Sequence, residues 1–375
     1  MFLKAAPTAD QRARSLEAAR SFGVLRVQSV LELLRQCPAY ACTPLLTLDA
    51  LARQLGIHAL AAKDERRRLG LTSFKALGGV YAVLTLAADA ASRELSRAVS
   101  PAELLRGETR PARPIVFATA SAGNHGCAVA AGARLIGARC VVFVPAGVPS
   151  SMLQSMAARG AELVHVSGVY EDAVAQCRER AAVSGWQLVS DTSWPGYCEP
   201  AARVQLGYSV TAFEVREALT EPPTHVFVQA GVGGLAAAWA ASLATLFQPA
   251  NPQLLVVEPE RAACLLASAR AGERIRIAVE RPTNMGRLQC YEPSLLAWEQ
   301  LSGLASAFVS ISDAQAEDAT ALLMNAGVST SPSGAAGLAG LIRVLADPLA
   351  REAVALGPNS RVLILLTEAS VSTGD

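Results

Sequence analysis

Short apolar runs alternate with longer amphipathic stretches along most of the chain. Runs at 58–63, 115–118, 140–144, 162–166, 187–190, 225–228, 254–258, 307–310 and 362–366 read as strands. Many are continuously rich in Val, Ile and Leu rather than alternating, the mark of parallel strands covered on both faces. The stretches 74–87, 124–136, 150–159, 170–182, 200–219 and 336–345 read as the helices between them. Two further helical pieces precede Pro44. Strand–helix alternation predicts an α/β fold with right-handed crossovers. In such folds, binding residues gather at strand C-termini and in the loops that follow.

The run 226–247 carries no charge and is long enough to span a bilayer. It opens with a strand-like segment and then Gly231, Gly233 and Gly234, so it reads as strand, turn and buried helix. Composition supports a globular reading. At 375 residues, 51% hydrophobic and 17% charged, the chain predicts two domains with a large core. Lys plus Arg is 33 and Asp plus Glu is 32, so no charge excess points to nucleic acid or membrane. The triplet Arg66, Arg67, Arg68 reads as a solvated face. Eight cysteines form no C-x-x-C pair, and four histidines lie scattered, so no metal site is expected. Scattered cysteines and an N-terminus without an apolar signal core predict reduced thiols in the cytoplasm.

Three segments carry chemistry. In the first, Thr72 or Ser73 can cap a helix that begins near Phe74 and Lys75. Lys75 in a first helical turn, flanked by Phe74 and Leu77, meets two effects that favour a neutral amine, as a Schiff-base lysine requires. A solvated surface lysine is the plainer alternative. In the second, a strand leads through Thr119, Ala120, Ser121, Ala122 and Gly123 into a helix starting at Asn124 and His125. Exposed N–H groups at such a start hold a carboxylate or phosphate. An ordinary capped turn with a core histidine is the alternative. In the third, Gly231, Val232, Gly233, Gly234 and Leu235 follow a strand, and their backbone can approach a phosphate closely. The pattern also fits a dinucleotide fingerprint, with Glu258 as the acid of the next strand. That loop lies past the middle of the chain, and Glu258 is further along than the fingerprint expects.

Taken in order, Ser-Phe-Lys, Ser-x-Gly-Asn-His and Gly-x-Gly-Gly-Leu resemble the fold type II pyridoxal-phosphate enzymes, the tryptophan-synthase-β-like family that includes threonine dehydratase. Within it, several segments resemble the diaminopropionate ammonia-lyase branch. These are Lys63-Asp64-Glu65, Phe74-Lys75-Ala76-Leu77-Gly78-Gly79, Asp191-Thr192-Ser193-Trp194-Pro195-Gly196-Tyr197, Gln205-Leu206-Gly207-Tyr208, Thr283-Asn284-Met285-Gly286 and Thr367-Glu368. The resemblance implies two open twisted, mostly parallel sheets flanked by helices. It also implies a large cofactor domain (1–79 and 191–375), a smaller mobile domain (80–190) and a homodimer.

It further implies roles. Lys75 would carry pyridoxal 5′-phosphate as a Schiff base and take the Cα proton of a small L-amino acid. Phe74 would flank the cofactor, Asn124 would bind its 3-hydroxyl, and Gly231 to Leu235 its phosphate. Thr367 would meet the pyridine nitrogen and leave it largely unprotonated, which suits β-elimination better than transamination. Ser121, Ala122, Gly123 and His125 would bind the substrate carboxylate, mainly through backbone N–H groups. Asp191 is the acid of the substrate region, with a turn role as its alternative.

Two positions depart from the branch. Ala122 stands where an aspartate acts as base for the D-enantiomer, and Pro332 where a glutamate precedes Ser333-Gly334-Ala335. The expected reaction is elimination from a small L-amino acid such as L-2,3-diaminopropionate, giving a 2-oxo acid and ammonia through an aminoacrylate. A β-replacement synthase, a serine/threonine dehydratase, a non-catalytic binding protein and a dinucleotide-dependent oxidoreductase are the alternatives.

Overall fold

Each of the nine apolar runs becomes a strand in a computed structural model that describes residues 1–279 and 281–370. Two short strands join them, giving eleven among the described residues: β1 (Phe2–Lys4), β2 (Leu45–Thr47), β3 (Ala59–Asp64), β4 (Val116–Ala120), β5 (Arg139–Val144), β6 (Ala161–His165), β7 (Gln187–Leu188), β8 (His225–Gln229), β9 (Gln253–Pro259), β10 (Ala307–Ile311) and β11 (Arg361–Leu366). The chain forms two compact units. One comprises Met1–Val27, Cys42–Arg67 and Thr211–Asp375; the other Gln28–Ala41 and Arg68–Val210. The second unit is wider than the 80–190 segment expected from the resemblance, and both Lys75 and Asp191 fall within it.

The first unit holds a seven-stranded sheet in the order β1-β10-β9-β8-β11-β3-β2. Its five inner strands are parallel, and the edges β1 and β2 run antiparallel to their neighbours. Continuous burial along β8, β10 and β11 explains their unbroken apolar sequences: both faces are covered. The second unit holds a parallel four-stranded sheet, β6-β5-β4-β7. Ala118, Val141 and Phe143 of that sheet pack with Ala173, Cys177 and Ala181 of the helix Tyr170–Ser184.

The uncharged run divides as its glycines predict, into β8, a turn and the buried helix Gly234–Leu246. Among the described residues no helix is long and apolar enough to cross a membrane. One surface expectation is overturned. Arg68 is not solvated but fully buried, donating to the Ala41 carbonyl at 3.1 Å and lying 5.9 Å over the Tyr40 ring. Charge clustering in sequence could not show that one guanidinium of the three turns inward to satisfy a backbone carbonyl.

The helix that begins at Lys75 runs to Leu95, beyond the expected 87, because residues 88–95 are good helix formers. Its Gly78 and Gly79 mark close crossings. A Cβ at Gly78 would lie 2.4 Å from the Val204 carbonyl and from the Tyr208 ring, and one at Gly79 2.5 Å from the Ala128 Cβ. These contacts seat the Lys75 helix directly against its neighbours in the second unit.

Candidate active site

Lys75 is the first residue of its helix, with Phe74 as the preceding cap residue. Phe74 supplies no side-chain cap. Ser73, one position earlier, accepts the Lys75 backbone N–H at 3.4 Å, so of the two expected capping residues it is Ser73 that reaches the helix. The Lys75 Nζ donates to Asp191 Oδ2 in an ion pair between groups 116 residues apart. The carboxylate is therefore engaged by the lysine rather than by a helix cap. Burial alone would raise the Asp191 carboxyl, but the Lys75 charge and hydrogen bond outweigh it and hold the group well below the usual carboxylate range.

The segment around Asp191 is tightly held. Tyr197 Oη accepts the Ser190 N–H at 2.9 Å and donates to the Leu188 carbonyl at 3.0 Å. Trp194 and Tyr197 exchange backbone hydrogen bonds and stack at 4.2 Å. The aromatic residues of this motif thus fix the turn that presents the carboxylate.

At the end of β4, Ser121 Oγ accepts N–H bonds from Gly123 (3.1 Å) and Gly126 (2.9 Å). Its hydroxyl shapes the loop, and the loop's chemistry toward a ligand rests on backbone groups. Gly126 packs closely here: a Cβ would lie 2.7 Å from the Met156 sulfur and 3.1 Å from the Ser121 Cβ. Gly123 caps the helix Asn124–Leu135 without a side chain. Ala122 is exposed and Asn124 is buried. His125 is buried, with Nε2 at 3.0 Å from the Val189 carbonyl and Nδ1 without a partner. Burial depresses its pKa, with the nearby Asp191 opposing. The neutral ring donates from Nε2 and keeps a lone pair on Nδ1. It is not a side-chain donor to a carboxylate, so any such contact comes from its backbone. Tyr208, which sequence reasoning gave no role, meets Phe74 edge to face at 4.8 Å. Its signal is the Gln205-Leu206-Gly207-Tyr208 segment of the resemblance, which assigns it no role.

In the first unit, β8 ends in the glycine turn. Gly233, at φ +97°, adopts a left-handed conformation that favours glycine and begins the helix Gly234–Leu246 with no side-chain cap. The Val232 carbonyl accepts from Ser294 N, and a Cβ on Gly231 would press on Cys290 Sγ at 2.9 Å. Leu235 is buried at the helix start. Thr367, after β11, is buried and accepts from Gln229 Nε2 at 3.1 Å. The Gln229 amide also lies against the carbonyls of Ser333, Gly334 and Leu365. Among the described residues nothing accepts the Thr367 hydroxyl hydrogen. Gln229 was not singled out by sequence. Its signal is a buried amide closing an otherwise apolar strand. Pro332 begins the helix Pro332–Leu345, and the acid near it, Glu368, pairs with Arg287 Nε at 2.9 Å and accepts from Ser331 Oγ.

Glu258 has no surface to offer a ribose. It is fully buried, and its two oxygens accept the N–H groups of Leu265 (2.7 Å) and Leu266 (2.8 Å) at the start of the helix Cys264–Ala271. Burial pushes its pKa up to about 8, with these hydrogen bonds opposing. Between the ordinary glutamate value, about 4.3, and that raised value, the folded state binds more protons than the unfolded chain. Stability then falls as pH rises across that window. The difference in unfolding free energy between the wild type and Glu258→Gln from pH 5 to 8 is expected to show this slope, since the opposite contribution of the buried His125 and His225 cancels in it.

A family model described as pyridoxal-phosphate dependent enzyme matches residues 37–368. The chain is 33% identical over 340 residues to diaminopropionate ammonia-lyase of Escherichia coli (strain K12), covering 88% of this chain and 84% of that protein. It is 36% identical over 291 residues to diaminopropionate ammonia-lyase of Salmonella typhimurium (strain LT2), covering 76% and 72%. The fold matches the crystal structure of the Escherichia coli diaminopropionate ammonia lyase in complex with an aminoacrylate-PLP azomethine intermediate. That match has a TM-score of 0.80 at 29% identity and covers 99% of this chain and 94% of that one. Threonine deaminase isoform 2 from Solanum lycopersicum, 19% identical with a TM-score of 0.73, shares the fold. The chain belongs to the pyridoxal-phosphate-dependent enzyme family, with pyridoxal 5′-phosphate as its cofactor.

Proposed function

We propose that this protein is an ammonia-lyase that removes the β-substituent of a small L-amino acid such as L-2,3-diaminopropionate, yielding a 2-oxo acid and ammonia. The observation that carries the reading is the Lys75 amine at a helix start, ion-paired with the partly buried Asp191 carboxylate in the same unit as the Ser121–His125 turn. Two features of the first unit fit the cofactor. An uncapped helix start at Gly234 suits a phosphate, and the unspent Thr367 hydroxyl hydrogen suits a ring nitrogen with a free lone pair. Lys75, Phe74, Asn124, Gly231, Val232, Gly233, Gly234, Leu235 and Thr367 would hold it.

When bound, pyridoxal phosphate supplies an electron sink for charge developing at Cα. The rest falls to the chain. Backbone N–H groups at the start of the helix Asn124–Leu135 orient the substrate carboxylate, those of Ser121 and Gly123 being bonded to the Phe143 carbonyl and the Ser121 hydroxyl. Lys75 Nζ takes the Cα proton and is then the nearby acid for a departing amine. Asp191, held as an anion, is a poor proton donor. It positions the lysine head and stabilises its charged form. The Glu368–Arg287 pair leaves the neighbourhood of Pro332 electrically balanced. By resemblance the enzyme works as a homodimer, and its scattered cysteines favour the reducing cytoplasm.

A panel of diaminopropionate, serine, threonine and O-substituted serines, assayed for 2-oxo acid and ammonia, tests the reaction. Product that retains a new β-substituent when thiol is added would move the assignment to β-replacement. Asp191→Asn is expected to lower kcat by about 10- to 100-fold with KM little changed, because it removes the lysine's anchor and not a substrate contact. An unchanged kcat would remove Asp191 from the site.

A further inference from the structure

The second unit carries a cavity of about 500 Å³ that the elimination reaction does not use. Small-molecule sites typically span about 300–1,000 Å³. Its lining combines apolar side chains, among them Leu69, Leu71 and Val80, with two guanidinium groups, Arg134 and Arg159, and includes no acid. Both arginines meet at the end of the helix Ser150–Ala157. Arg134 donates to the Ala158 carbonyl at 3.0 Å, and Arg159 to the Ser155 carbonyl (2.5 Å) and hydroxyl (2.7 Å). Neither has a carboxylate partner among the described residues. Each guanidinium has five N–H donors, so most remain for a ligand.

One wall of the cavity leads straight to the reactive lysine. Leu69 adopts φ 52°, ψ 33°, a conformation a branched side chain rarely takes, and Gly70 follows at φ 68°. Leu71 N–H closes the turn on the Arg68 carbonyl at 2.8 Å, and Ser73 then receives the Lys75 N–H. A ligand against Leu69 and Leu71 therefore touches a strained segment four residues before Lys75.

We propose that this cavity is an effector site for an amphiphilic carboxylate. Its aliphatic tail packs on Leu69, Leu71 and Val80, its head group is shared by Arg134 and Arg159, and its occupancy reaches Lys75 through residues 69–74. A ligand shifts an equilibrium only by its unequal affinity for two states, and the strained turn is where two states can differ.

The test is calorimetric titration of the holoenzyme with octanoate, with octanol and octylamine as charge controls. Octanoate is expected to saturate one site per chain, octanol to bind more weakly and octylamine not at all. Replacing both guanidinium groups, Arg134→Gln with Arg159→Gln, is expected to weaken octanoate by about tenfold or more, the worth of a charged hydrogen bond. Ala131→Phe, which fills the cavity and keeps the charges, is expected to abolish binding. Turnover without octanoate should stay at the wild-type level in both variants. The visible cofactor band should shift in the wild type with the calorimetric midpoint. Absence of saturable binding, or equal binding by the variants, overturns the site. Binding that leaves the visible band unmoved overturns its coupling to Lys75.

Discussion

Lys75→Ala is expected to abolish elimination, lowering kcat/KM by about 10²–10⁴-fold or more, because the proposed base is gone and its conjugate acid with it. The substitution also strands the partly buried Asp191 carboxylate, whose low pKa depends on the lysine's charge. Loss of stability could then imitate loss of chemistry, so Lys75→Arg is the necessary companion. It keeps a cation for Asp191 and cannot form the covalent bond to an aldehyde. Both variants are expected to be inactive, and the arginine variant to unfold at a denaturant concentration close to that of the wild type. Borohydride reduction should fix the cofactor to residue 75 in the wild type and in neither variant. An active Lys75→Arg protein would show that the proton is taken by some other group.

L-Diaminopropionate is expected to be turned over and the D-enantiomer to be rejected by about 10²-fold or more, the usual worth of a general base. The two enantiomers direct the Cα hydrogen to opposite sides of the conjugated plane when the carboxylate and amine are held in common. Lys75 can serve one side. The resemblance assigns the base for the other side to position 122, between Ser121 and Gly123, and here that residue is Ala122, whose methyl group cannot accept a proton. Ala122 is exposed, so Ala122→Asp adds a carboxylate without crowding the core. That variant is expected to gain D-turnover while L-turnover persists. Rapid D-turnover by the wild type would mean that a second base exists elsewhere.

The strands were legible because continuous apolar runs have few alternatives once turn residues bound them. β1 and β2 were not, since each is a three-residue edge strand of mixed exposure, formed only because a neighbour offers hydrogen bonds. β7 is shorter than its apolar run because the chain turns at Ser190 to bring Asp191 round. The three motif loops stand where strand–turn–helix reasoning puts them. The Lys75–Asp191 pair was beyond reach, because charge pairing across 116 residues is a property of the fold and not of spacing. The same holds for Gln229, whose amide serves Thr367 across 138 residues, and for the inward turn of Arg68.

The bare crossing at Gly78 has a dynamic consequence. Where two helices touch through backbone, with Gly207 facing Gly78 and no side-chain layer between, sliding cannot be absorbed by rotamer changes. The Lys75 helix and the helix bearing Tyr208 must move as one body at that point. Whatever opening and closing accompanies catalysis, the amine, the Phe74 ring and the Tyr208 ring travel together. Their mutual geometry is a constant of the cycle, and hinges belong elsewhere in the chain.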